Sequence, residues 1–394
     1  KHYKLSLIGY INMKRILLVV PSNKGTIAMC SLNLWKALRQ APDVEVCCVL
    51  VYKLADGMED FNNCPVLSSG KKGLIFKALN LFCQANRLKS IKKGFMPEMT
   101  ISTLFNCSTV SLLSGGRDKK VGIFHSPHQQ VKAKGKLLYW NALAEYRFLY
   151  PRLDCLVCVS EEVKQSILHS FKNILPSKVD VIYNVHLINE IRKKAKELLD
   201  SVEDENIFAN NVMLYCGRLD ANKAPDRLMR AFIASEAYQR YHLVFMGNDE
   251  GPGKLVVDMA RQKHIEDRVH LMGVRRNPYK YIAKSDVLVS SSYSEGLPGV
   301  IIEALALGVP VISTNSSRGI WEIFGCSEQY DKNMKEQRVV PDGIITSNTG
   351  DDKYDDEMLA KAIGNYRKED FSVPFSFANK VSEETISNQF LKLL

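Results

Sequence analysis

The stretch SSSYSEGLPGVIIEALALGVPVIST, residues 290–314, holds the pattern that decides the fold. Serines end an apolar run, a loop rich in glycine and proline follows, and Val300–Leu307 has the composition of a short helix. Gly308 and Pro310 are residues that typically end a helix. The next apolar run, Val309–Thr314, predicts a second strand. A strand, a helix and a strand in this order are typical of the doubly wound α/β class, whose sheet is parallel.

The same alternation of strand-like runs and helical segments covers most of the 394 residues. A chain of this length ordinarily divides into two domains, and the polar segment 193–210 is expected to approach the linker between them. We expect residues 13–195 and 211–375 to form two Rossmann-like domains, and residues 376–394 to add a closing C-terminal helix. The two domains are expected to face each other across a cleft, with ligands at the carboxyl ends of the strands.

Composition excludes several classes of protein. Hydrophobic residues make up 46% of the chain and charged residues 24%, which is typical of a globular protein. No apolar run approaches the roughly 20 residues that span a bilayer, and residues 1–12 do not resemble a secretory signal. We therefore expect a cytoplasmic protein. A nicotinamide-dependent enzyme is not indicated, because no G-x-G-x-x-G motif follows a strand.

The loop and helix after residue 294 carry groups suited to a ligand that has both a diphosphate and a sugar. Gly296 and Gly299 let a ligand approach the backbone, and the start of the helix offers unpaired N–H groups to phosphate. Glu295 lies in the loop, and Glu303 lies about one turn into the helix. One carboxylate can therefore face the end of the ligand nearest the loop, and the other can accept hydrogen bonds from a vicinal diol. The alternative is that Glu295 caps the helix and Glu303 is solvated.

Two cations form a second candidate site. Arg218 follows one strand closely, and Lys223 precedes a helix that begins near Pro225. Cations that converge where a strand gives way to a helix can neutralise a diphosphate without a metal ion. The alternative is two solvated surface cations. The chain contains no Asp-x-Asp motif, and the acidic residues of 351–356 are expected in a polar loop, so we expect no metal site.

Glu295 and Glu303, with their Gly-Leu-Pro and Glu-Ala neighbours, resemble the E-x7-E motif of the family-4 retaining glycosyltransferases, the bacterial polysaccharide-type glycosyl transferases group 1. This resemblance is strong over residues 211–324 and implies the two-domain GT-B fold. It implies that Glu295 contacts the donor sugar and Glu303 the ribose, while Arg218 and Lys223 neutralise the diphosphate. The donor-binding set expected on this basis is Gly217, Glu295, Gly296, Leu297, Pro298, Gly299, Val300 and Glu303.

The first half of the chain resembles the family less closely. His125 follows a strand at a position similar to that of a family histidine that contacts the donor sugar, although a structural role is the alternative. Loop 21–26 has one glycine where the family usually has a pair, and Asn184-Val185 replaces an Asn-Gly pair. The stretch 316–319 also replaces a more glycine-rich one. These departures concern the shape of the donor loop and the acceptor pocket.

The net charge of +10 is concentrated in the first half, where Glu98 and Asp118 are the only acids between Asp60 and Glu145. The basic segment 71–93 also has an apolar face, which is expected either to pack on the sheet or to lie on an anionic membrane surface. Nucleic acid is not an expected partner, because no nucleic-acid-binding motif is present.

The resemblance implies a retaining, metal-independent hexosyltransferase that needs no cofactor, since its nucleotide sugar is a substrate. The donor would carry UDP or GDP and a hexose or related sugar. The acceptor would be a hydroxyl of a lipid-linked or growing polysaccharide glycan, reached at the inner face of the cell membrane. The alternative is a nucleotide-sugar 2-epimerase of the same fold, which would act on the donor without an acceptor.

Overall fold

The computed structural model describes residues 13–55, 57–68, 74–125 and 143–394, with residues 74–79 and 105 described by their backbone alone. The chain divides into two compact units. The first unit comprises the residues up to His186 together with Lys380–Leu394, and the second comprises Leu187–Asn379. Each unit is built around one sheet of mainly parallel strands, which confirms the predicted doubly wound α/β class.

The first unit contains a six-stranded parallel sheet in the order β2-β1-β3-β4-β5-β6. Its strands are β1 (Lys14–Val20), β2 (Val44–Leu50), β3 (Met99–Thr103), β4 (Lys119–Phe124), β5 (Cys155–Cys158) and β6 (Val179–Val181). Helices of this part are α1 (Thr26–Gln40), α2 (Leu74–Phe95), α3 (Phe105–Leu113) and α4 (Glu161–Ser170). Residues 16–20 of β1 have no exposed surface, as expected for a central parallel strand covered on both faces.

The second unit contains a seven-stranded sheet in the order β12-β13-β11-β10-β7-β8-β9. Its strands are β7 (Val212–Cys216), β8 (His242–Met246), β9 (Val269–Gly273), β10 (Val287–Ser290), β11 (Val311–Thr314), β12 (Arg338–Val340) and β13 (Gly343–Thr346). Its helices are α5 (Ile188–Lys194), α6 (Val202–Phe208), α7 (Pro225–Ala234), α8 (Gly253–Lys263), α9 (Tyr279–Ile282), α10 (Gly299–Ala306), α11 (Arg318–Ile323) and α12 (Asp352–Asn365). β12 pairs antiparallel with β13 at one edge, and these short strands were not predicted. The last helix, α13 (Glu383–Leu391), belongs to the first unit, where it packs against α1.

Residues 193–210, expected to approach a linker, instead form the end of α5 and all of α6 within the second unit. The Ser201 hydroxyl caps α6 by accepting a hydrogen bond from the Asp204 N–H at 3.1 Å. The buried Asp204 carboxylate accepts from the Tyr281 hydroxyl at 2.6 Å and from Arg275 Nη2 at 3.1 Å. The hydrophilic residues of this segment therefore have polar partners in the fold, which composition does not reveal.

The acidic residues of 351–356 also differ from expectation, because they begin α12 rather than lie in a loop. Asp351 caps the helix by accepting from the Tyr354 N–H at 3.2 Å. Acidic side chains in a first helical turn are favoured by the helix dipole. Asp355 is buried, and its carboxylate lies 3.5 Å from the guanidinium of Arg227 on α7.

Helix α2 packs one face on the sheet of the first unit. Its residues in contact with the apolar core are Leu81, Leu88, Ile91 and Phe95. For these residues the alternative of packing on the sheet is confirmed. Phe82, Lys89 and Lys93 lie on the exposed side. No described helix is long and apolar enough to span a bilayer.

Candidate functional site

Two loops of the second unit lie side by side at the carboxyl ends of neighbouring strands. Loop 217–224 follows β7 and loop 291–298 follows β10, and these two strands pair in the sheet. The Asn222 carbonyl accepts from the Tyr293 N–H at 2.8 Å. The Asn222 side-chain amide donates to the Ser294 carbonyl at 2.9 Å. Parallel strand order therefore brings together two segments that the sequence separates.

Lys223 and Glu295 are in contact across these loops. The Lys223 ammonium Nζ lies 2.6 Å from Oε1 of Glu295, and their side chains are 22% and 13% exposed. The alternative in which Glu295 caps the following helix is wrong, because Pro298 occupies the cap position and no side chain caps the helix. Lys223 is also more than a solvated surface cation, because it has a carboxylate partner in a partly buried position.

Helix α10 begins at Gly299, one residue before the predicted start. Pro298 holds the cap position in an extended conformation (φ −74°, ψ 105°). Pro298 has no side-chain group that could accept from the first-turn N–H groups, which carry the positive end of the helix dipole. The loop 295–298 therefore leads to a helix start suited to an anion.

Arg218 lies on the same loop as Lys223 but contacts other acids. Its Nη2 lies 2.9 Å from Oδ2 of Asp220, and its Nη1 lies 3.2 Å from Oε2 of Glu250. The other oxygen of Asp220 accepts from the N–H groups of Asn222 and Lys223 at 3.0 and 2.9 Å, which shapes the loop. The Arg218 side chain is 57% exposed. To bind a phosphate, it would have to exchange these weak surface pairs for the new anion.

Glu303 lies one turn into α10, where burial raises the pKa of its carboxyl to about 7. Burial raises the pKa of the Cys216 thiol at the end of β7 and that of the Tyr279 hydroxyl, and the nearby charge of Glu303 raises both further. Glu303 is half-buried, which disfavours the alternative of a fully solvated helix residue. A carboxylate in this setting is stabilised by any ligand that donates hydrogen bonds to it.

Close backbone contacts explain two glycines of the site. A Cβ at Gly247 would lie 1.7 Å from the Gly217 carbonyl oxygen, where the loop after β8 passes the loop after β7. A Cβ at Gly319 would lie 2.2 Å from the Gly296 carbonyl oxygen, which also accepts from the Ser317 hydroxyl at 3.2 Å. The stretch 316–319, although poorer in glycine than the family pattern, keeps a glycine at the point of contact.

His125 belongs to the first unit and follows β4 directly. It lines a cavity of about 10 Å³ with Thr103, Ile123 and Asn184, which is room for about one water molecule. Burial lowers the pKa of its imidazole to about 4, so the ring is neutral at pH 7. Its Nε2 has no hydrogen-bond partner among the described atoms.

Sequence reasoning missed three residues that fix the loop after β10. Asn222 lies within the segment singled out for its cations, so its position between Arg218 and Lys223 was an available signal. Arg227 occupies a buried position on α7 beside Leu228 and Met229, and an arginine within an apolar stripe is a signal of a buried ion pair. Asn348 gave no signal, because the chain brings it to Tyr293 only through the fold.

Residues 200–334 match the family of glycosyl transferases group 1. This segment, about a third of the chain, is therefore similar to the group 1 glycosyltransferases. The match contains Arg218, Lys223, Glu295 and Glu303.

Curated relatives are glycosyltransferases as well. An uncharacterized glycosyltransferase of Methanocaldococcus jannaschii is 34% identical over 185 residues, which cover 46% of this chain and 45% of the relative. A Campylobacter jejuni N-acetylgalactosaminyltransferase named for a diphospho-undecaprenol substrate is 31% identical over 180 residues, 46% of each chain. The chain thus spans about half the length of these two relatives. The capsular polysaccharide glycosyltransferase CapH of Staphylococcus aureus is 29% identical over 280 residues, 67% of this chain and 75% of CapH.

Solved structures are similar to nearly the whole chain. Anabaena HepE, solved with UDP and glucose, has a TM-score of 0.72 at 17% identity and covers 96% of this chain and 98% of its own. WaaG, a glycosyltransferase of lipopolysaccharide biosynthesis, has a TM-score of 0.65 at 14% identity and covers 96% and 99%. Identity this low shows the fold alone, and it confirms the predicted GT-B fold.

Proposed function

We propose that this chain is a group 1 glycosyltransferase of the retaining family-4 subclass, and that it moves a hexose or related sugar from a UDP or GDP donor to a hydroxyl acceptor. The observation that carries the proposal is the Lys223–Glu295 contact in front of the uncapped start of α10. Lys223 and the N–H groups at the start of α10 would bind a diphosphate, and the Glu295 carboxylate beside them would bind the sugar. The HepE structure with UDP and glucose supports a donor of this type.

Cleavage of the donor bond leaves a new negative charge on the departing diphosphate. Lys223, Arg218 and the start of α10 would stabilise this charge, and a charge that grows in the transition state is the one whose stabilisation accelerates the reaction. The acceptor hydroxyl would approach on the face that the diphosphate leaves, and a diphosphate oxygen would take its proton. The configuration is then retained without a protein nucleophile. Because the protein supplies the countercharge, we propose that neither a metal ion nor a cofactor takes part.

Glu295 and Glu303 would contact different sugars of the donor. Glu295 would contact the transferred sugar, because it lies in the loop ahead of the helix. Glu303 would accept hydrogen bonds from the ribose diol, which would stabilise its buried negative charge. The backbone of residues 296–300 and of Gly217 would border the diphosphate. His125, neutral at pH 7, would donate or accept a hydrogen bond at the donor sugar.

The acceptor is proposed to be a lipid-linked or growing polysaccharide glycan at the inner face of the cell membrane. The names of CapH and of the Campylobacter jejuni relative support this class of acceptor. The exposed cations Lys89 and Lys93 and the exposed Phe82 on α2 would bind an anionic membrane surface. None of the relatives named above is an epimerase, so no comparison favours that alternative.

A panel of UDP- and GDP-sugars tests the proposal. A donor should raise the midpoint of thermal unfolding and should be hydrolysed slowly in the absence of acceptor. Both effects should persist in excess chelator, and incubation of the donor alone should yield no epimer. Glu303→Ala should bind the donor more weakly than the parent. Equal binding by this variant would contradict the donor site, and loss of activity with chelator would contradict the metal-independent mechanism.

A further inference from the structure

Tyr293, two residues before Glu295, is held by three contacts, two through its backbone and one through its ring. Its N–H donates to the Asn222 carbonyl at 2.8 Å, and its carbonyl accepts from Nδ2 of Asn348 at 2.8 Å. Its ring centroid lies 5.2 Å from the guanidinium carbon of Arg227. These contacts restrict the conformation just ahead of Glu295.

Arg227 is the centre of this arrangement. Its side chain has no exposed surface, and its Nη1 donates to Oδ1 of Asn348 at 2.8 Å. Its other nitrogens lie 3.5 Å from Asp355 and 3.2 Å from Asp356. A buried guanidinium is strongly unfavourable unless its charge is paired. One hydrogen bond from Nη1, together with ion pairs of Nε and Nη2 that are not hydrogen bonds, therefore holds the group between α7 and α12.

Asn348 transmits that position to the loop. Its amide oxygen is bound by Arg227, and its amide nitrogen donates to the Tyr293 carbonyl, so both ends of the amide are engaged. The following residues are fixed as well, because Asp355 accepts from the N–H groups of Thr349 and Gly350 at 3.0 Å each. Asn348 lies beyond the segment 200–334 that matches the family.

We propose that Asn348 and Arg227 are positioning residues that act through Tyr293 to hold the Glu295 carboxylate against the transferred sugar. The inference rests on the proposed function for the role of Glu295. The contacts that hold Tyr293, here called the clamp, are a property of the free protein. Loop 291–298 ends at the helix start that faces the diphosphate. A displaced loop would therefore weaken the sugar contact of Glu295 more than the contacts of the nucleoside diphosphate.

The alternative explanation is that the contacts of Arg227 and Asn348 only stabilise the packing of α7 on α12. Arg230 provides the matched control, because it pairs with Asp226 at 2.7 Å and with Asp356 at 2.6 Å. It shares the α7–α12 contact, yet in the described part of the chain it bonds neither Asn348 nor Tyr293. A purely structural network predicts that Arg230→Gln and variants of Asn348 behave alike once their stabilities are compared.

Asn348→Asp is the most specific change, since it keeps an oxygen for Arg227 but replaces the donor to Tyr293 by a second acceptor. In the free protein, hydrogen exchange of amides 290–299 should accelerate at least about fivefold, the equivalent of one hydrogen bond of about 1 kcal/mol. Exchange over 253–263 in α8 should not change. Asn348→Ala should have the same effect, and Arg230→Gln should not.

Binding then tests the positioning role with UDP-glucose against UDP, and with GDP-mannose against GDP. Asn348→Asp should raise the Kd of the sugar nucleotide about fivefold and leave the Kd of the nucleoside diphosphate unchanged. In a Glu295→Gln background, Asn348→Asp should no longer alter the ratio of the two Kd values. Unchanged exchange at 290–299 overturns the clamp. Accelerated exchange with an unchanged ratio overturns the positioning role. A parent that binds neither sugar nucleotide refutes the proposed function and the positioning role with it, while the exchange result still decides the clamp.

Discussion

The ammonium of Lys223 lies 2.6 Å from a carboxylate oxygen of Glu295, a residue 72 positions later in the chain. The contact joins the loop after β7 to the loop after β10, and it holds opposite charges together in a partly buried place. A nucleotide sugar bound at the start of α10 would place a diphosphate beside this pair. The lysine would then face two anions, and the carboxylate would retain a partner while the sugar approaches it.

Lys223→Met should therefore be more harmful than the loss of one surface cation. The variant leaves the Glu295 carboxylate without its ammonium partner and removes a countercharge for the diphosphate. We expect kcat to fall about a hundredfold, as is typical for loss of one group that stabilises a transition-state charge. Initial rates and calorimetric binding of the sugar nucleotide measure the effect. The double variant Lys223→Met/Glu295→Gln should bind the donor better than Lys223→Met alone, and equal binding would show that the two residues are not coupled.

The buried carboxyl of Glu303 predicts pH-dependent donor binding. Because the pKa of Glu303 is raised to about 7, the carboxyl is largely neutral at pH 6 and charged at pH 8. The carboxylate accepts charge-assisted hydrogen bonds from a ribose diol, which are stronger than those that a neutral carboxyl accepts. The Kd of the sugar nucleotide should therefore rise about tenfold from pH 8 to pH 6, one factor of ten being expected across a single titrating group. Calorimetry at both values measures this ratio. Glu303→Gln should bind weakly with little pH dependence, and a parent with constant Kd would exclude the assignment.

The raised pKa of Glu303 also predicts how the stability of the fold depends on pH. Stability should fall as the pH rises, whereas donor binding should become tighter. The folded chain binds the Glu303 proton more tightly than the unfolded chain does, whose carboxyl has the ordinary pKa of 4.5. The contribution of Glu303 to stability is therefore present below pH 4.5 and is lost as the pH rises through about 7. Glu303→Gln should unfold at a higher temperature than the parent at pH 8 and at a similar temperature at pH 4. A variant less stable than the parent at pH 8 would indicate that an unseen partner stabilises the carboxylate.

Gly319→Ala should disturb the loop that carries Glu295. The new methyl group would meet the Gly296 carbonyl oxygen at 2.2 Å, and a backbone atom cannot move aside as a flexible side chain can. We expect a loss of about 1 to 3 kcal/mol in the free energy of unfolding, as for other overpacked sites, and weaker donor binding. Chemical denaturation measures the first effect and calorimetry the second. Gly364→Ala on α12 is the control, because its nearest neighbour would lie 3.5 Å away and the change should be neutral or stabilising.

The stretch 290–314 shows how much of the fold could be predicted from sequence. Its helix was placed within one residue, because glycine and proline mark its ends, and its strands follow from uninterrupted apolar runs. The edge strand β12 and its neighbour β13 were missed, since three or four residues beside a turn give almost no periodic signal. Segment 193–210 was misjudged because its charges, such as that of Asp204, are paired inside the fold.

The site was predictable to a similar degree. Arg218, Lys223, Glu295 and Glu303 stand beside strand ends and helix starts, so local sequence was enough to single them out. Which cation meets which carboxylate was not predictable. Lys223 reaches Glu295 while Arg218 turns to Asp220, and this choice depends on the conformation of the loop between them. The support from Asn348 could not be seen at all, since its partner lies 55 positions away.

The exposed side of α2 predicts attachment to an anionic membrane. Phe82, Lys89 and Lys93 follow one another at intervals of seven and four residues, which places them along one side of the helix, and Met96 follows the helix directly. Phe82 is 63% exposed and Met96 58%, and both lysines are exposed, whereas Leu88 is buried against the sheet.

Lys89→Glu/Lys93→Glu should weaken co-sedimentation with vesicles containing phosphatidylserine at least about thirtyfold, given about 1 kcal/mol for each cation near such a surface. Lys332→Glu/Lys361→Glu makes the same change in net charge on the second unit and should leave binding unchanged. High salt should release the parent, since the attraction is screened. Equal sedimentation of both double variants would show that net charge, rather than this side of α2, determines the attraction, and no sedimentation of the parent at low salt would refute the attachment altogether.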